Sequence, residues 1–175
     1  MKCAGLGGNP SSLAAKKAKP NPKKPKTDIF AAKEVVPSTI FKTFYMRNDL
    51  PVVVDFEGAS RKVQWKVEIE MLDYHHYLPI FFEGLREPEE PMKFLADRGS
   101  DELIQHGGDK ILPVLPQLII PIKMAMQTKR QEVVVKTLKK LQLLVKSSNA
   151  VAEALVPYYR QILPVMNLLR HRNSK

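Results

Sequence analysis

The chain has 175 residues, with 28 lysines and arginines against 18 acids, for a formal net charge of +10. A hydrophobic fraction of 44% can build a core, and the length fits one domain plus an arm. No apolar run reaches about 18 residues, so no membrane-spanning helix is expected; the single cysteine, Cys3, cannot close an internal disulfide.

The opening Met1-Lys2-Cys3 lacks both the glycine needed for myristoylation and an apolar leader region, so neither anchor nor secretory signal is expected. Charge is unevenly placed. Residues 1–33 hold eight lysines and one acid, whereas the other 142 residues hold 20 basic and 17 acidic side chains. Residues 1–28 are rich in Lys, Pro, Gly, Ser and Ala and have little to bury, which predicts a disordered basic arm. Within it Lys16, Lys17, Lys19, Lys23, Lys24 and Lys26 alternate with prolines and form an extended line of ammonium groups. Such a line suits a solvated tail, a nuclear-import signal, a nucleic-acid arm or an arm laid along an acidic polymer. Composition does not separate these four.

Residues 29–62 form the next unit. Ile29, Phe30, Ile40, Phe41, Phe44 and Tyr45 suggest an extended lead-in from Ile29 to Tyr45 that docks on the folded part. Two β-branched runs, Pro51 to Phe56 and Lys62 to Val67, flank Glu57-Gly58-Ala59-Ser60 and predict one hairpin. A lone hairpin is not stable in water, so it must pack on helices, with Trp65 as its anchor.

Residues 63–175 read as helix. Helices are expected over Val67–Leu85, Glu89–Gln105 (opened by Pro91, closed by Gly107-Gly108) and Leu112–Met126. Gln131–Lys146 is amphipathic, with Val134, Leu138, Leu141 and Val145 on one stripe and Lys136, Lys139, Lys140 and Lys146 on the other face. Ser148 or Asn149 then caps a last helix whose stripe runs through Val151, Leu155, Tyr158, Ile162, Met166 and Leu169.

One phrase recurs in these helices: Leu78-Pro79-Ile80, Ile120-Pro121-Ile122 and Leu163-Pro164-Val165, with prolines 42 and 43 residues apart. At an offset of 43, Leu112, Leu115, Ile119, Ile120 and Met126 match Leu155, Tyr158, Ile162, Leu163 and Leu169. HEAT and armadillo units run about 40–47 residues. Each proline frees the carbonyl four residues earlier, on His75, Gln117 or Arg160, and these oxygens should tilt toward water at a bend. The expected fold is therefore all-α, an armadillo/HEAT-like helical repeat solenoid with one small β-hairpin. Tyr159 and Leu163 give the last helix a second apolar side, yet only six residues follow Leu169. Either another protein covers this end or the chain is a shortened form.

No catalytic constellation emerges. Asp73-Tyr74-His75-His76-Tyr77 is the one cluster resembling a site, but adjacent histidines on a helix point about 100° apart and cannot chelate one ion. Gly107-Gly108-Asp109-Lys110 lacks phosphate-loop spacing, and Gly5, Gly7 and Gly8 follow no strand. No metal, cofactor or enzymatic activity is expected.

Three strings carry a family resemblance. They run from Trp65 to Glu70 and on through Leu72-Asp73-Tyr74-His75-His76-Tyr77-Leu78-Pro79, from His106-Gly107-Gly108-Asp109-Lys110-Ile111-Leu112-Pro113 to Lys123, and from Ala154-Leu155-Val156-Pro157-Tyr158-Tyr159 to Val165. Over about residues 40–169 the chain resembles the parkin co-regulated gene protein family. The resemblance implies an α-helical repeat protein of cilia and flagella, at the inner junction of axonemal doublet microtubules. It also implies a non-catalytic role joining the B-tubule to the A-tubule, with tubulin and a small β-sandwich protein as partners. Residues 1–28 match no shared pattern, and family members usually continue for several helices beyond the position of Lys175.

Charge fits that role independently, because tubulin is acidic and lysines would be held to it in a salt-dependent way. The arm lysines and the face of Lys136, Lys139, Lys140 and Lys146 are the candidate tubulin contacts. The alternative is a soluble HEAT-like adaptor whose arm binds nucleic acid or directs nuclear import.

Overall fold

The computed structural model describes residues 38–56 and 61–170, which are mostly helical with one two-stranded sheet. The expectations for the arm (residues 1–28, with its six lysines), for residues 29–37 and for the turn at 57–60 lie outside the described residues.

Helix α1 spans Ile40–Met46, where an extended lead-in was expected. The reason is local. The Thr39 hydroxyl accepts the Lys42 amide at 3.2 Å, and Phe41, Phe44 and Tyr45 then fall on one buried side. Strands β1 (Val52–Asp55) and β2 (Lys62–Trp65) pair antiparallel, Val52 opposite Trp65 and Asp55 opposite Lys62. The hairpin is anchored as its sequence predicts. The Trp65 indole N–H donates to Glu102, and its ring lies 5.7 Å from that of Phe81.

Helix α2 covers Tyr74–Gly84, and α3 covers Met92–Gly107. The first expected helix is thus shorter than its apolar pattern. A 3₁₀ turn occupies Ile69–Met71, and α2 begins only where the Asp73 carboxylate accepts the His75 amide at 3.0 Å. At the end of α3, Gly108 takes φ +47° and ψ −127°, a backbone conformation open to glycine, and the helix stops there. Helix α4 spans Leu115–Gln127 after a 3₁₀ segment over Gly108–Val114; Pro113 and Pro116 delay its start past the expected Leu112. Helix α5 spans Gln131–Ser147. The last expected helix is two, α6 (Asn149–Leu155) and α7 (Tyr159–Arg170), separated by a 3₁₀ turn at Val156–Tyr158 that contains Pro157.

All three phrase prolines lie inside helices, Pro79 in α2, Pro121 in α4 and Pro164 in α7. The residues whose carbonyls they free are solvent-exposed, as the bend argument requires. The phrases are not buried alike. Leu78 is wholly buried, because α1, α3 and α4 all pack on α2, whereas Ile120 is 64% and Leu163 47% exposed.

α2 packs on α4 and α4 on α7, while α3 packs on α5. One continuous core runs between these layers, from Phe41, Phe81 and Leu95 through Leu118 and Ile122 to Leu155 and Ile162. Close approach of α2 and α3 depends on Gly99, where an added Cβ would sit 2.3 Å from the Phe81 ring. The Phe81 ring in turn meets that of Phe41 edge-on at 5.3 Å.

Candidate functional site

Three of the residues singled out for chemistry, Asp73, His76 and Lys110, have structural partners. Asp73 caps α2, and His76 lies against the rings of Phe44 and Tyr77, with centroids 5.4 and 4.9 Å away. Lys110 donates to the Glu70 carbonyl and sits 5.8 Å above the Tyr74 ring. Among the described residues there is no cluster able to hold a metal ion, and no helix long and apolar enough to cross a membrane.

The charged features converge instead between α3 and α5. Lys93 meets Glu132 at 2.7 Å, Asp97 meets Lys136 at 2.9 Å, and Asp101 meets Lys140 at 2.5 Å. Each pair is separated by 39 residues, and successive pairs by one helical turn, so α3 and α5 run parallel in a fixed register. The ladder deepens along its length. The Glu132 carboxylate is exposed, and the Lys93 ammonium holds its pKa below the ordinary value. Lys140, at the other end, is buried, and its three N–H groups reach Asp97 Oδ1 at 2.8 Å, the Asp97 carbonyl at 2.7 Å and Asp101.

This arrangement corrects the expected solvent face of α5. Lys140 is taken out of it by the two α3 carboxylates, and Lys136 is engaged by Asp97. Lys139 and Lys146 remain exposed, with no ion pair among the described residues. The expected apolar stripe holds for Val134, which is buried, and for Leu138 and Leu141, which pack partly buried against the core, whereas Val145 is exposed; the buried line of α5 also takes in Val133, Thr137, Lys140 and Leu144.

Between α3 and α5 lies a groove of about 510 Å³ in which Arg98, Lys136, Lys139, Lys140 and Lys146 outnumber the carboxylates Asp97 and Asp101. Both acids are paired, and among the described residues Arg98, Lys139 and Lys146 are the groove cations with no ion pair. Sequence reading missed Asp97, Asp101 and Arg98. The findable signal was a pair of acids four apart on α3 matching a pair of lysines four apart on α5.

Residues 39–175 match the profile of the family described as Parkin co-regulated protein, which covers the whole described fold. The chain belongs to that family. A curated relative, the Parkin coregulated gene protein homolog of Mus musculus, is 50% identical over 149 residues. The aligned part is 85% of this chain and 61% of the mouse protein, so the chain spans about three fifths of that relative's length. Membership begins at Thr39, which is completely buried and bonded through both its amide and its hydroxyl to the Glu87 carboxylate. The family region thus starts at a residue tied to the linker between α2 and α3.

Proposed function

We propose that this protein is a non-catalytic structural component of axonemal doublet microtubules, one that binds tubulin and helps join the B-tubule to the A-tubule at the inner junction. Its site of action is then the cilium or flagellum, with tubulin and a small β-sandwich protein as partners. Family membership across residues 39–175 carries the reading. Two physical features support it. In the basic groove Arg98, Lys139 and Lys146 are exposed and have no ion pair among the described residues, which suits an acidic surface such as that of tubulin. The recurrence of α2, α4 and α7 in one layer and of parallel α3 and α5 in the other supports an armadillo/HEAT-like repeat stack, an architecture suited to cohesion rather than turnover.

Co-sedimentation with polymerised tubulin tests the proposal. The full chain should pellet at moderate salt, less at high salt, and less when Lys139 and Lys146 are replaced by glutamate. Comparison with a chain lacking residues 1–28 separates the contribution of the arm. A full chain that stays in the supernatant while binding DNA or RNA would instead support the adaptor reading and overturn this one.

A further inference from the structure

The ladder fixes both walls of the groove between α3 and α5, and its register gives the position of each cation along it. The constant offset of 39 residues puts Arg98 level with Thr137. On the opposite wall Lys139 is then about 3 Å further along and Lys146 about 13 Å, at the helical rise of about 1.5 Å per residue. Arg98, Lys139 and Lys146 are exposed, as are Gln105 and Gln142. Among the described residues none of these five side chains has an ion pair or a hydrogen bond. The carboxylates of the groove differ, since Asp97 and Asp101 are neutralised by Lys136 and Lys140.

Shape and charge together identify the occupant. Helices pack on one another through apolar ridges, and Leu143 is the one apolar side chain among the residues lining this groove. A further helix of a repeat stack has nothing to pack on here. Two packed helices lie about 8–10 Å apart, and the cleft along their outer faces admits a single extended chain. Five cations against two carboxylates select an acidic one. Residues 1–33, with eight lysines and one acid, have the wrong sign. The acidic run of a second copy, Glu87-Pro88-Glu89-Glu90, is already engaged by Thr39, Lys42 and Arg61. A nucleic-acid strand has the right sign, but no aromatic ring lines the groove to stack its bases. We propose that the α3/α5 groove binds an extended, glutamate- or aspartate-rich segment of a partner polypeptide. One carboxylate sits between Arg98 and Lys139, and a second, about three residues on at about 3.3 Å each, meets Lys146. The amides of Gln105 and Gln142 hydrogen-bond its backbone. The proposal rests on the microtubule reading for the groove's role as a contact, and narrows the acidic partner from a folded surface to a segment.

The probe is a fluorescein-labelled peptide of four Glu-Pro-Gly repeats, which sets an acid at every third position and cannot become helical. It is titrated with the full chain and read by anisotropy. One control carries glutamine in place of glutamate; the other is an alanine-rich helical peptide with the same four glutamates. The extended acidic peptide should bind saturably and at least about tenfold tighter than either control. Arg98→Glu with Lys139→Glu should weaken it about tenfold or more, with far-UV dichroism unchanged. Lys23→Glu with Lys26→Glu, the same change of net charge placed in the arm, should cost less than about threefold. No saturable binding, equal losses from the two pairs of substitutions, or equal binding of the helical peptide or of a single-stranded oligonucleotide of the same charge would each overturn the proposal. Tubulin is absent from this assay, so the two readings fail separately. A chain that pellets with microtubules but binds no peptide loses only the segment, and one that binds the peptide but never pellets loses only the microtubule reading.

Discussion

Replacing Asp97 with alanine tests whether the buried end of the ladder holds α5 on α3. The Lys140 ammonium has three acceptors, and the substitution removes one, Oδ1 at 2.8 Å, while the Asp97 carbonyl and Asp101 remain. It also strips Lys136 of its carboxylate at 2.9 Å. Breaking a buried pair outright costs about 3–5 kcal/mol, and a hydrogen bond to a charged group contributes about 1.5–3 kcal/mol. Because Lys140 keeps two acceptors and the Lys136 rung is partly solvated, the expected loss is about 2 kcal/mol. In a domain of this size that lowers Tm by roughly 6–10 °C. Urea unfolding followed by far-UV dichroism measures the difference. The pH profile provides a second readout. Burial raises the pKa of the Asp97 carboxyl, but hydrogen bonds and charge from Lys140 and Lys136 outweigh it and hold the group below its ordinary 3.8. On acidification the unfolded chain therefore takes up this proton first. The stabilisation is complete above the ordinary carboxylate value and drains away as pH falls through the lower folded value. Wild-type protein should lose stability in that acid range, and Asp97→Ala should lack this component. A variant within about 0.5 kcal/mol of wild type, with an unchanged profile, would refute the reasoning. The attraction would then only offset the desolvation of Lys140.

Gly99→Ala should destabilise by about 1–3 kcal/mol in the same urea assay, since its Cβ meets a Phe81 ring already wedged between Phe41 and Trp65; a neutral result would mean that the ring swings aside freely. Trp65, the one tryptophan, should report the same unfolding midpoint by fluorescence as the helices do by dichroism, because the hairpin has no stability of its own. An earlier fluorescence transition would separate the hairpin from the core. Pro121→Ala should fold and pellet with microtubules as wild type does, because the proline shapes α4 and Gln117, whose carbonyl it frees, is solvent-exposed. A folded variant that no longer pellets would place a contact at this bend.

The elements most legible in the sequence were those whose cues are local. The hairpin, the ends of α3 and the extent of α5 follow from β-branched runs, glycines and periodicity, and they lie where those cues put them. Helix starts were harder. The apolar pattern runs unbroken from Val67 and from Leu112, but Asp73 and Pro116 decide where α2 and α4 begin. Helix α1 was hidden because its local cue is a single capping threonine, and that Thr39 cap is itself held by Glu87, 48 residues away. The face of α5 was misread for a related reason. Periodicity ranks a lysine as outward, and only the α3 partner, unseen in α5's own sequence, turns Lys140 inward.

The ladder's effect on register follows from its order of charges. A buried ion pair is seldom more stabilising than a well-packed apolar one, so stability alone gives little reason for Lys140 to sit where it does. Sliding α5 along α3 by one turn in one direction would set Lys136 against Lys93 and Leu144 against Asp101. In the other direction it would set Glu132 against Asp97. Either slip replaces an attractive rung with a repulsive one, whereas the apolar residues Val133 and Leu144, similar in size and without directional bonds, would tolerate a slip more readily. The observed order, Lys-Asp-Asp on α3 against Glu-Lys-Lys on α5, admits one parallel alignment of these three positions in which every rung is attractive. That alignment also sets where Leu138, Val145 and Lys146 emerge on the far side of α5. The charges between α3 and α5 therefore position the apolar groove between α5 and α7 and its basic edge, although no ladder residue lines that groove.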